Sequence, residues 1–103
     1  APERPYLRVA KGKDLGKEFF LGPGETGVGR SIDNDVILTD IAVSRRHLKV
    51  HMSDAGLLKI IDLGSGNGST VNGQRVREAP LNQGDRIELG ETTLVVEIPG
   101  AAQ

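Results

Sequence analysis

Gly64-Ser65-Gly66-Asn67-Gly68-Ser69-Thr70-Val71-Asn72-Gly73 carries two Asn-Gly pairs in one short stretch. Both residue types enter the left-handed backbone region at little steric cost, which makes Asn-Gly the strongest short-range hairpin signal. Read by themselves, Asn67-Gly68 and Asn72-Gly73 are two tight turns around a short strand. Upstream, Gly29-Arg30 ends one apolar run and Ser44-Arg45-Arg46-His47 opens another. A sandwich that gathers these three polar points on one face would make an anion site of them.

Working outward, short β-rich runs recur with turn signals between them. Tyr6 to Ala10 alternates, with Leu7 and Val9 on one face and Tyr6, Arg8 and Ala10 on the other. Lys17 to Leu21 is closed by Gly22-Pro23-Gly24, and Thr26 to Arg30 and Asp35 to Leu38 follow. In Leu48 to Met52 the core face is Leu48, Val50 and Met52, with Lys49 and His51 outward. Leu57 to Leu63 is nearly continuous apolar and fits a central strand. Thr70 to Asn72 and Gln74 to Val76 flank the second Asn-Gly, and Arg86 to Leu89 and Thr92 to Ile98 form a closing hairpin around Gly90-Glu91. No stretch holds a 3.6-residue period, so helix is at most a minor component. Many short strands with Gly-rich turns predict an all-β sandwich or barrel.

Composition narrows the function classes. The chain has 103 residues, no cysteine, a net charge of −1 and 37% hydrophobic residues. With its 14 glycines, the apolar share reaches about half, ordinary for one globular domain with one modest core. Without cysteine there is no disulfide and no thiolate metal site, a pattern compatible with a reducing compartment. No apolar run approaches the roughly 18 residues of a membrane span, and Ala1-Pro2-Glu3-Arg4-Pro5 has no apolar signal-peptide segment. The Ala start and the linker-like tail Pro99-Gly100-Ala101-Ala102-Gln103 suggest a single domain over 1–103, with its core at about 6–98, excised from a larger protein. Near-neutral charge and few aromatic residues argue against a nucleic-acid module. A protein partner is expected, and Arg30, Arg45 and Arg46 are the candidates for a local positive pocket.

Several enzyme motifs fail on context. Gly22-Pro23-Gly24-Glu25-Thr26-Gly27 matches G-x-G-x-x-G, but no helical pattern follows to receive a pyrophosphate, and a hairpin turn explains it. The Gly64 to Gly68 loop lacks the Gly-Lys-Ser/Thr of a P-loop. His47 and His51 lie roughly 13 Å apart along a strand, too far to share a metal. Ser44, His47 and Asp62 supply the residue types of a hydrolase triad without a nucleophile elbow. No enzyme activity, metal or cofactor is expected.

Taken in series, Gly29-Arg30, Ser44-Arg45-Arg46-His47 and Asp62 to Gly73, followed by the Leu-x-x-Gly-Asp-x-Ile-x-Leu-Gly run at Leu81 to Gly90, resemble the signature of the forkhead-associated (FHA) domain. The resemblance covers roughly Tyr6 to Ile98. It implies an eleven-stranded antiparallel β-sandwich whose loops at one end bind phosphothreonine in an extended peptide, and hence a recruitment module in Ser/Thr kinase signalling. It also implies a cytoplasmic, monomeric domain whose partner is a phosphothreonine-containing protein, with neither nucleic acid nor membrane as ligand.

A phosphate dianion needs charge-assisted donors, and these residues supply them: a forked guanidinium at Arg30, a hydroxyl at Ser44 and a second cation at Arg45. By similarity to the family, Arg30, Ser44 and Arg45 hold the phosphate and Asn67 hydrogen-bonds the peptide main chain. Gly66 stands where many members carry Thr or Ser, so a hydroxyl that often reaches the phosphate is missing and a backbone N–H is the candidate substitute. Ser69 stands where Thr is commoner. His47 is expected to bond backbone groups of the binding loops, Asn72-Gly73 to be a scaffold turn, Gly29 to serve backbone geometry, and Arg46 to lie outside the contact set. Each residue also has a plainer reading, with Arg30 a solvated strand end and Ser44 a turn cap. The competing function is an interaction module of the same fold that binds an unphosphorylated partner.

Overall fold

The computed structural model describes residues 4–100; the ends of the chain assigned above to linker, 1–3 and 101–103, lie outside the described residues. Among the described residues eleven strands and no helix follow one another: β1 (Tyr6–Lys11), β2 (Glu18–Phe20), β3 (Gly24–Gly29), β4 (Val36–Ile37), β5 (Leu48–Met52), β6 (Leu58–Asp62), β7 (Ser69–Val71), β8 (Gln74–Val76), β9 (Glu78–Leu81), β10 (Arg86–Leu89) and β11 (Thr92–Glu97). They form a six-stranded sheet in the order β2-β1-β11-β10-β7-β8 and a five-stranded sheet in the order β4-β3-β5-β6-β9. The expected β-sandwich is the fold observed.

Alternation decides which faces meet. Leu7 and Val9 on β1, Leu48 and Val50 on β5, Ile87 and Leu89 on β10, and Leu94 and Val96 on β11 are all buried between the sheets. Among their opposite-facing neighbours Arg8, Lys49 and Glu88 carry charge, whereas Thr93 and Val95 on β11 are buried as well. On the outer face of the five-stranded sheet, Lys49 pairs with Glu25 and Lys59 with Glu78, both at 2.8 Å. The apolar run Leu57 to Leu63 is shorter as a strand than as a sequence. Leu57 and Leu63 fall beyond its ends and are exposed, while β6 lies between β5 and β9.

Three expectations are corrected. The sandwich is not wholly antiparallel, because β4 runs parallel to β3, with Val28 opposite Val36 and Gly29 opposite Ile37. The link between them doubles back on itself. Asn34 donates its N–H and side-chain amide to Ser31 O at 3.1 and 2.8 Å, and the Asp35 carboxylate takes the Gly27 N–H at 3.0 Å. Second, Gly22-Pro23 is not a hairpin turn but the crossing from β2 in one sheet to β3 in the other. Third, β9 has no strand-like run in the sequence reading. It holds Pro80 on a sheet edge, where a missing N–H leaves no ladder bond unmade.

Register places the loops. Leu48 faces both Val28 and Asp62, so the end of β3, the start of β5 and the end of β6 are level. Leu89 faces both Ser69 and Thr92, so the start of β7, the end of β10 and the start of β11 are level too. The link from β6 to β7 joins the two sets. The segments 30–35, 38–47, 63–68 and 90–91 therefore crowd one end of the sandwich.

Candidate functional site

The site is built from backbone contacts between those segments. Beyond β3, Arg30 N–H donates to Ser44 O and Ser31 N–H to Arg45 O, each at 3.1 Å. Gly29 makes this approach feasible: a Cβ there would stand 2.2 Å from Arg45 O. Its φ is ordinary, so the requirement is closeness and not backbone freedom. Asn34 adds a side-chain donor to the same Arg45 carbonyl at 2.7 Å.

Arg30 is exposed, and its Nε donates to Val43 O at 3.1 Å. That bond fixes the stem and leaves the two terminal nitrogens of the fork outward. Ser44 is partly buried, with its Oγ accepting the Gly66 N–H at 3.2 Å. An accepted bond leaves the hydroxyl proton available to an anion. The Gly66 N–H is thus engaged in holding Ser44, which refines the role expected for it as a direct substitute for a hydroxyl. Space around Gly66 is open, with no heavy atom within 4 Å of a Cβ built there. Arg45 is exposed and forms no ion pair among the described residues. Arg46 turns toward Asp33 at 3.7 Å, with both side chains well exposed.

Asn67 is exposed and anchored, its Nδ2 donating to Ala42 O at 2.6 Å. Beside it lies a groove of about 280 Å³ bounded by Ala42, Gly68, Thr70 and the β10–β11 turn. His47 is fully buried beneath the loops. Ser44 N–H donates to its Nδ1 at 3.0 Å, so Nε2 carries the proton and donates to Gly68 O at 2.8 Å. One ring fastens loop 38–47 to loop 63–68. Both nitrogens are occupied by backbone, which removes His47 from any triad with Ser44 and Asp62.

Two carboxylates complete the frame. Asp62 Oδ1 accepts the N–H groups of Gly64 and Ser65, and its Oδ2 accepts the hydroxyls of Ser65 and Ser69, all between 2.6 and 2.9 Å. Burial would raise its carboxyl, but the hydroxyls of Ser69 and Ser65 and the two N–H groups outweigh it and hold the group below its ordinary value. Asp40, buried, accepts from Ala42 N–H, Glu91 N–H and the Thr92 hydroxyl. Its carboxyl is lowered in the same way, against burial, by those donors and the charge of Lys13. Asp40, Asp62 and Asn34 have no phosphate-facing role in the sequence reading, and for Asp40 two of its three partners, Glu91 and Thr92, are more than fifty positions away.

Arg30, Ser44, Arg45, Gly66 and Asn67 are therefore brought together, with Gly29 and His47 behind them. Asn72 and Gly73 are not. They form the β7–β8 turn at the far end of β7, with φ of 53° and 87°. Asn72 holds the start of β10 there, accepting Arg86 N–H and donating to Asp85, both at 3.0 Å.

Comparison with known proteins agrees with this architecture. Residues 8–100 match the family described as the inner membrane component of T3SS, cytoplasmic domain. The glycogen accumulation regulator GarA of Mycolicibacterium smegmatis is 38% identical over 89 residues, which cover 86% of this chain and 56% of that protein. The chain thus spans just over half of that relative's length. Among solved structures, an FHA domain studied for phosphothreonine-dependent interactions superposes with a TM-score of 0.87 at 34% identity, covering 96% of this chain and all of the other. The FhaA FHA domain complexed with the intracellular domain of Rv3910 gives 0.83 at 34% identity, covering 90% of this chain and 99% of the other. With 34% identity to a solved FHA domain that it covers completely, on the same fold, the chain belongs to the forkhead-associated domain family.

Proposed function

We propose that this domain binds phosphothreonine-containing protein segments and so recruits phosphorylated partners in Ser/Thr kinase signalling. One observation carries the reading: at one end of the sandwich, the outward fork of Arg30, the hydroxyl of Ser44 and the unpaired Arg45 sit on backbone that is hydrogen-bonded into one frame. Charge-assisted donors of this kind suit a dianion, each contributing about 1.5–3 kcal/mol net. Asn67 is held by Ala42 and borders a groove, which supports a role in reading the ligand main chain beside the phosphate. The domain acts by binding and has no catalytic activity of its own. It works as a monomer in the cytoplasm and needs no cofactor, nucleic acid or membrane.

Phosphothreonine is favoured over phosphoserine where the methyl meets an apolar surface, a contact worth about 1 kcal/mol, near one buried methylene. Fluorescence anisotropy with matched phosphothreonine, phosphoserine and unphosphorylated peptide pools tests this. Binding should follow that order and weaken as salt rises. Equal binding of the unphosphorylated pool, or indifference to salt, would instead support a phosphorylation-independent module, the reading that the missing hydroxyl at Gly66 favours.

A further inference from the structure

We infer that the groove behind the β6–β7 loop is a second anion subsite for the same ligand, formed by Arg75 and Arg77; this rests on the phosphopeptide reading above. Arg75 lies on β8 and Arg77 just beyond it, both exposed. No ion pair or side-chain hydrogen bond among the described residues involves either guanidinium. With Asp62, Gly64, Ser65 and Gly68 they line a groove of about 490 Å³. Gly68 lets Arg75 lie over the loop: its φ is +78°, and a Cβ there would come 2.8 Å from the guanidinium carbon.

The groove's carboxylate, Asp62, does not tie these arginines down. Its two oxygens already take four donors from Gly64, Ser65 and Ser69. Two cations thus face one satisfied carboxylate, which leaves a locally positive groove in a chain of net charge −1. A planar guanidinium fork matches carboxylate and phosphate oxygens alike.

Distance ties this groove to the first site. Gly66, whose N–H reaches Ser44, is two positions from Gly64 and two from Gly68, and both of these line the groove. Two residues of chain span at most about 7 Å. An extended ligand advances about 3.3 Å per residue, so an anionic side chain roughly two to five residues from the phosphothreonine reaches Arg75 and Arg77. Being tethered, it enters at high effective concentration, which lets exposed pairs that are individually weak add up. The anion is either a second phosphorylated residue or an Asp or Glu.

The test uses peptide pools degenerate except for a fixed phosphothreonine and one scanned position, which carries Ala, Glu or phosphoserine on either side. At one spacing, Glu or phosphoserine should tighten binding about five- to tenfold over Ala, the scale of one ordinary net hydrogen bond and suited to exposed pairs. The gain should vanish in the Arg75→Ala/Arg77→Ala double variant, while that variant binds the Ala pool as the wild type does. A gain with both anions marks a general anion subsite, and a gain with phosphoserine alone marks one selective for phosphate. No gain at any spacing, a gain that survives in the double variant, or loss of the Ala pool by a folded double variant would each overturn the inference. Arg75→Gln/Arg77→Gln, which keeps a polar stem, serves if the Ala variant melts early. If the wild type binds no phosphothreonine pool, the first site fails and takes the inference with it; if it binds that pool and a second anion adds nothing, only the inference fails.

Discussion

At the scale of single residues, two glycines of the site have opposite reasons for being glycine. Gly29 is required by contact, since Arg45 O occupies the place of its Cβ. Gly29→Ala must push loop 38–47 outward, and overpacking of this kind costs about 1–3 kcal/mol. The expected outcome is a lower denaturant midpoint together with weaker phosphopeptide binding; unchanged binding would mean that the loop position does not matter to the site. Gly66 has open space and an ordinary φ. Gly66→Thr should therefore leave stability within about 0.5 kcal/mol and, by adding a hydroxyl beside Ser44, tighten phosphopeptide binding several-fold in the same titration. Weaker binding by a folded Gly66→Thr would show that the bare backbone is itself the recognition element.

At the scale of elements, what was legible in the sequence was local, and what was not was long-range. Asn72-Gly73 could be read as a turn, and Leu48, Val50 and Met52 as a core face, because φ tolerance and period-two alternation belong to neighbouring residues. Gly-Pro-Gly at Gly22 to Gly24 announces a change of direction but not which sheet receives the chain. Composition likewise cannot show that β4 returns parallel to β3, since the Asn34 and Asp35 bonds decide that. Arg30, Ser44, Arg45 and Asn67 are singled out by the order of the motif blocks, whereas nothing near Asp40 in sequence points to its partners Glu91 and Thr92. Three carboxylates fasten loops in this way. Asp14 takes the Thr39 N–H and hydroxyl and the Lys17 ammonium, which together outweigh burial and lower its carboxyl; Asp40 and Asp62 are lowered likewise. A carboxyl lowered by folding adds stability that is present above its ordinary value of 3.8 and is lost as pH falls through the lower folded value. Stability measured by denaturant should be level above about pH 5 and decline progressively below it. Asp62→Asn should shallow that decline, and an unaltered acid profile in the variant would contradict the role given to Asp62.

At the scale of the whole molecule, two sheets packed through one apolar core carry an end at which segments far apart in sequence share a hydrogen-bond frame. His47, buried between loop 38–47 and loop 63–68, is the member that joins the two loops of the candidate site. With a net charge of −1, the attraction for phosphate proposed for Arg30 and Arg45 is a local one and should be screened by salt. The most direct measurement is calorimetric titration of the wild type and Arg30→Ala with a phosphothreonine peptide pool, beside the same pool without phosphate. The account predicts binding of the phosphorylated pool alone and a loss of at least about tenfold in Arg30→Ala, the value of one charge-assisted hydrogen bond. Equal heats from both pools, or an Arg30→Ala variant that binds as tightly as the wild type, would contradict it.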